Sequence, residues 1–189
     1  MYSTMHLTIS RLKYLLLLAC LPLLGLLGGC ATPVEPSHYA AEKPRLDLRQ
    51  YFNGTLDAEG MFQDRAGTVV KRFSVVIVCK WQGDVGTLDE DFTYSDGTRQ
   101  RRVWTLTKVG VDRYTGTAAD VVGQAEGVVA GNALRWKYTL ALPVDGKVID
   151  VQLEDWMYLM NDRIMLNRAV MSKFGFHVGD ITLSFTKRP

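Results

Sequence analysis

The chain has 189 residues, of which 47% are hydrophobic, 10% aromatic and 22% charged, and its formal net charge is +2. That is the profile of one ordinary folded domain; it excludes a disordered chain, a collagen-like repeat and a polyanion-seeking basic protein.

Residues 1–29 read as a targeting signal. Arg11 and Lys13 are the only charges ahead of Cys30, and the uncharged run 14–27 follows them. Crossing a bilayer takes ~20 apolar residues, and this run is shorter and broken by Pro22 and Gly25. With Leu27-Gly28-Gly29-Cys30 behind it, the segment resembles a bacterial lipoprotein signal, in which the cysteine is diacylated and becomes the N-terminus. Two or three acyl chains, at ~0.8 kcal/mol per buried CH₂, make a stable membrane anchor. The alternative is an uncleaved anchor or a secreted soluble protein. Ala31, in place of Asp, is similar to the sorting signal for the periplasmic face of the outer membrane. Removing residues 1–29 with their two basic groups leaves 160 residues carrying 20 Lys+Arg against 20 Asp+Glu, so no nucleic-acid partner is expected. A protein partner is not specified by any motif.

Residues 30–49 carry Pro33, Pro36 and Pro44 and few large apolar side chains, which predicts a tether from Cys30 to a domain at 50–189, with His38 in the tether. Beyond Thr55, two-residue turn signals separate alternating runs: Ala66-Gly67, Asp96-Gly97, Gly131-Asn132, Asp145-Gly146 and Asn161-Asp162. No run keeps a 3.6-residue period. The expectation is an all-β domain, a single antiparallel meander barrel of roughly nine or ten strands, lipocalin- or calycin-like.

Each turn implies a register. Ala66-Gly67 sets Leu56, Ala58 and Gly60 opposite Ile77, Val75 and Phe73, with Cys79 in the same phase as a buried, inert thiol. Asp89, Glu90 and Asp91 read as a solvated acidic face opposite Arg99, Arg101 and Arg102, with Asp91 against Arg102; a phosphate-binding patch is the alternative. Gly131-Asn132 sets Gly127 opposite Trp136 and Ala125 opposite Tyr138. Asp145-Gly146 sets Leu140, Tyr138, Trp136 and Leu134 opposite Val151, Leu153, Asp155 and Met157. Asn161-Asp162 sets Asp155 opposite Arg168, both on the apolar phase.

Two features of that inner face carry chemistry. Gly60 and Gly127 lie beside Phe73 and Trp136, which gives either steric relief for the rings or room for a small apolar ligand. Asp155 and Arg168 form either a core ion pair that fixes register or a site where the guanidinium anchors a fatty-acid carboxylate. The candidate ligand-binding residues are therefore Arg168, Asp155, Trp136, Tyr138, Gly127 and Phe73. After cleavage only His38 and His177 remain, and no Cys/His cluster has metal-ligand spacing. Neither GxSxG, a P-loop nor a GxGxxG after a strand occurs, so no catalytic residue, metal or cofactor is expected.

The motifs YFNG (51–54), FQDRAG (62–67), YSDG (94–97), DVVGQAEG (120–127), GNALRWKY (131–138), EDWMYL (154–159) and NRAVMSKFG (167–175) resemble, in order, the bacterial lipoprotein family catalogued as domain of unknown function 3833. The resemblance covers about 51–187 and departs at Cys79-Lys80, where a small residue is the family pattern. It implies a lipocalin-like outline, transfers no catalytic residue, and points toward lipid handling because the family's genes tend to lie near fatty-acid-modifying enzymes. The expected role is a non-catalytic carrier or sensor of a small apolar ligand such as a fatty acid or lipid. The alternative is an assembly lipoprotein with a filled core that docks an envelope partner. An enzyme would need Arg168, Asp155 and His177 to converge.

Overall fold

The computed structural model describes residues 33–144 and 146–189, so residues 1–29 and Cys30 lie outside the described residues. Residues 35–189 form one unit built of ten strands: β1 (Gly54–Asp64), β2 (Val69–Gln82), β3 (Val85–Tyr94), β4 (Arg99–Lys108), β5 (Arg113–Thr117), β6 (Val121–Ala130), β7 (Ala133–Val144), β8 (Lys147–Leu159), β9 (Ile164–Lys173) and β10 (Phe176–Lys187). Every strand pairs antiparallel with its chain neighbours, and β1 pairs with β10 to close the barrel, the meander expected from the turns. Alternation drives it. On β2, Phe73, Val75, Ile77 and Cys79 are buried while Val76 and Val78 face out.

Three of the five turns give the core register the sequence implies, and the β3–β4 and β8–β9 turns are each displaced from it by one residue. Trp136 faces Asp155, Tyr138 faces Leu153, and Gly127 faces Trp136. The β1–β2 loop is one residue longer than a two-residue hairpin: Asp64 and Thr68 pair, and Gly67 takes the left-handed φ of +85° that three-residue loops need. A bulge between Phe62 and Gln63 then restores Gly60 opposite Phe73. No bulge of this kind corrects the β3–β4 hairpin. Its loop also has three residues, with Gly97 at φ +83°, so Asp91 faces Arg101 and Glu90 faces Arg102 rather than Asp91 facing Arg102.

The β8–β9 hairpin overturns one expectation. Asn161 Oδ1 accepts from the backbone N–H groups of Arg163 and Ile164, each at 2.9 Å, and this side-chain-closed turn adds a residue to the loop. Leu159 thus faces Met165, Asp155 faces Ala169, and all of β9 is inverted relative to the expected pairing. Met165, Asn167 and Ala169 are buried, whereas Ile164, Leu166 and Val170 are exposed. Arg168 points outward with its side chain 71% exposed, 3.7 Å from Asp180, and forms no pair with Asp155.

The segment expected as a tether is folded from Glu35 onward. Pro36–Tyr39 makes a 3₁₀ turn, and Leu48–Tyr51 makes a single α-helical turn, α1, capped by Asp47, whose Oδ1 accepts from the Arg49 N–H at 2.9 Å. Leu46, Leu48, Tyr51 and Phe52 are buried and plug one end of the barrel. The plug reaches every turn at that end. Arg49 pairs with Asp84, Arg45 with Asp112, the Leu46 N–H donates to the Gly131 carbonyl, and the Tyr51 hydroxyl donates to the Arg163 carbonyl. Gly131 has φ +55°, and any Cβ there would collide with the Tyr39 carbonyl. His38 therefore sits in a folded segment, not a tether.

Candidate functional site

Because successive inward side chains of the meander converge on one axis, the barrel encloses a cavity of about 130 Å³ above Leu48 and Phe52 of the plug. Its wall is aromatic. Trp104 on β4 meets Trp136 edge to face at 5.9 Å between centroids and Tyr138 at 5.4 Å, with Phe73 and Phe92 across the interior. Glycines make this possible. A Cβ at Gly116 would stand 2.6 Å from Trp136 Cζ2, and one at Gly127 would overlap the same indole. The sequence reading foresaw Gly127 and missed Gly116. The glycines seat the rings, and a cavity remains beside them.

Polar groups interrupt this wall: Glu90 (β3), Arg102 (β4), Tyr138 (β7), Asp155 (β8) and Asn167 (β9) all line the cavity. Asp155 is 7% exposed and its Oδ1 has no hydrogen-bond partner; Asn167 is 4% exposed and neither atom of its amide has one. Buried polar groups are paired in all but a few cases, so three orphaned atoms facing one cavity are a departure that calls for a partner. Burial pushes the Asp155 carboxyl up to about 7, with Arg102 and the Tyr138 hydroxyl working the other way. Burial likewise pushes Glu90 to about 7, against the pull of Arg102 and with the charges of Asp120 and Asp155 adding to the rise. The Tyr138 phenol is raised well above its ordinary value, chiefly by burial. Arg102 forks onto Asp120 of the β5–β6 connection, its Nη2 donating at 2.7 Å and its Nε at 3.0 Å, and its guanidinium lies 5.5 Å from the centre of the Phe92 ring.

Of the residues expected at the site, Phe73, Gly127, Trp136, Tyr138 and Asp155 are placed on the inner face. Arg168 is not; it stands outside, where with His177 it flanks Asp180, the His177 Nε2 being 3.0 Å from Asp180 Oδ2. Arg168, Asp155 and His177 therefore do not converge. The interior arginine is Arg102, with Glu90 and Asn167 beside it. A signal for them was present: Arg102 is in phase with Trp104 and Leu106, and Glu90 with Leu88 and Phe92. Cys79 is buried, and burial raises its thiol to about 12, as an inert thiol requires. Among the described residues no cluster of His, Cys, Asp and Glu could hold a metal ion. A second, open hollow of about 820 Å³ lies against outward side chains such as Glu59, Arg72, Leu166 and Arg168, and is outer surface.

The family model described as "Protein of unknown function (DUF3833)" matches residues 24–187. No curated protein matches this chain. Among solved structures, the chain is similar in fold to the S-type phycobiliprotein lyase CPES from Guillardia theta, at 9% identity and a TM-score of 0.56 over 83% of this chain and 98% of that one. EF1p2_mFAP2b bound to DFHBI matches at 12% identity and a TM-score of 0.42 over 80% of this chain and 99% of that one. A de novo designed fluorescence-activating beta barrel matches at 13% identity and a TM-score of 0.42 over 76% of this chain and 99% of that one.

Proposed function

The chain belongs to the DUF3833 family, a lipocalin-like barrel with no activity attached to its name, and we propose from its interior that it binds a small, largely apolar molecule inside the barrel. The carrying observation is the aromatic cavity of about 130 Å³ into which the unpartnered Asp155 and Asn167 atoms face. A filled assembly core leaves no space beyond a water molecule, and a cavity of this size argues against that alternative. An engineered cavity of roughly 150 Å³ lined by apolar side chains takes up benzene, which sets the scale: one ring or a short branched body.

The expected ligand was a small apolar molecule such as a fatty acid or lipid, with Arg168 as a carboxylate anchor in one of the two readings of its pairing with Asp155. The outward Arg168 removes that anchor, and ligand pockets for larger molecules run to ~300–1,000 Å³. An acyl chain would enter only if the end opposite the plug opened. The role proposed is that of a carrier or sensor, without catalysis. We place it at the periplasmic face of the outer membrane, anchored through acylated Cys30, on the strength of Arg11, Lys13, the run 14–27 and Leu27-Gly28-Gly29-Cys30.

Native mass spectrometry of the purified protein, with organic extraction of whatever co-purifies, tests the binding role; an empty barrel that ignores a panel of one-ring and short-chain compounds would rule it out. Cys30→Ser tests the anchor. It is expected to move the protein from the membrane to the soluble fraction, and unchanged membrane association would refute lipidation at that residue.

A further inference from the structure

We infer that the polar groups of the cavity recognise a cation: Glu90, Asp155 and Asn167 hold the ammonium group of a small amine whose apolar body lies against the aromatic wall that includes Trp104 and Trp136. The inference rests on the ligand-binding role proposed above and assigns the charge of what that site takes.

The charged and polar groups around the cavity come from every wall: Glu90 on β3, Arg102 on β4, Asp120 at the head of β6, Tyr138 on β7, Asp155 on β8 and Asn167 on β9. That is three carboxylates against one guanidinium. The guanidinium is hydrogen-bonded to Asp120, the carboxylate that does not line the cavity, and its charge also acts on Glu90, opposite it across β3–β4, and on Asp155, so one cation serves three carboxylates. Further along, Lys71 is engaged by Asp96 at 2.9 Å and rests over the Tyr94 ring, while Arg168 faces outward. A ligand carboxylate would bring another negative charge against Glu90 and Asp155. A hydroxyl would leave both with only the shared charge of Arg102. An ammonium has three donors and no acceptor, which matches two of the three unpartnered atoms, the Oδ1 of Asp155 and of Asn167, together with the carboxylate of Glu90. The indole faces add attraction that neither an anion nor a neutral ligand receives.

Proton traffic follows. Desolvation raises both carboxyls to about 7, so an ammonium entering beside them expels protons, and affinity rises with pH across that range. An anionic ligand would take protons up and bind better in acid.

Three probes with one body and three charges test this on the purified full chain: benzylamine, benzyl alcohol and benzoate, followed by tryptophan emission and by calorimetry in buffers of different ionisation enthalpy. Benzylamine is expected to bind at least tenfold more tightly than the other two, to gain affinity from pH 6 to pH 8 and to release protons. Asp155→Asn, which keeps the side-chain shape, should weaken benzylamine tenfold or more and leave benzyl alcohol within twofold; Glu90→Gln is a second, independent variant with the same expectation. Benzyl alcohol or benzoate binding as tightly as benzylamine, or benzylamine binding that weakens with rising pH, would overturn the cation assignment while leaving the small-ligand role standing. Binding of none of the three would overturn that role as well, and the wild-type measurements need no variant to fold.

Discussion

Arg102 donates through Nε and Nη2 to Asp120 at 3.0 and 2.7 Å, and this fork ties the interior of β4 to the connection between β5 and β6. The two side chains are 17% and 26% exposed, so the pair is largely withdrawn from water without being sealed. Breaking a fully buried pair costs roughly 3–5 kcal/mol, and exposure trims that figure. Asp120→Asn should lower stability by about 1–3 kcal/mol in urea unfolding. A loss within the error of the extrapolation would mean that the fork is incidental to the fold.

Stability should depend on pH in the direction opposite to most acidic side chains. Glu90 and Asp155 titrate near 7 in the folded barrel, against ordinary values of 4.5 and 3.8. Between about pH 4 and pH 7 the folded state therefore holds protons that the unfolded chain has lost. Their contribution is fully present in acid, falls as pH rises through that window and is flat above it. Asp155→Asn removes one such group. It is expected to stabilise the protein by about 1–3 kcal/mol at pH 8, with the gain vanishing toward pH 4. A variant less stable than wild type at pH 8 would contradict the assignment.

Gly127 gives Trp136 its seat. Even one added carbon at Gly127 overlaps the indole, and forcing extra atoms into a packed interior costs roughly 1–3 kcal/mol. Gly127→Ala is expected to destabilise by that amount and to shift tryptophan emission, because the displaced ring has only the cavity to move into. Unchanged emission would show that the wall yields elsewhere.

Arg168→Met should leave stability within about 0.5 kcal/mol of wild type, as for an exposed position. Thermal melts decide it, and a loss of several kcal/mol would restore the buried pair with Asp155.

The barrel was legible because its hairpins announce themselves. Asp145-Gly146 and Gly131-Asn132 fix Trp136, Tyr138, Leu153 and Asp155 on one face, and all four are inside. β9 was not legible, since Met165, Asn167 and Ala169 alternate with Ile164, Leu166 and Val170, and both phases look apolar enough to be the core. One backbone-binding side chain, Asn161, decides between them. The same one-residue uncertainty at Asp96-Gly97 hid Glu90 and Arg102, because a charged residue beside a turn reads as solvated until its strand partners are known. The plug was hidden for a different reason. Leu46, Leu48, Tyr51 and Phe52 are too few to show a period, and they are buried by the barrel they close.

The β1–β10 ladder, continuous from Leu56 opposite Lys187 to Asp64 opposite Gly179, leaves the wall without a seam. The closed sheet offers no free edge, and α1 corks one end of it. For the ligand proposed above, the end left is the rim formed by the β1–β2, β3–β4, β5–β6, β7–β8 and β9–β10 connections. On that proposal, the residence time of a guest would depend on the opening of that rim as well as on the grip of the interior.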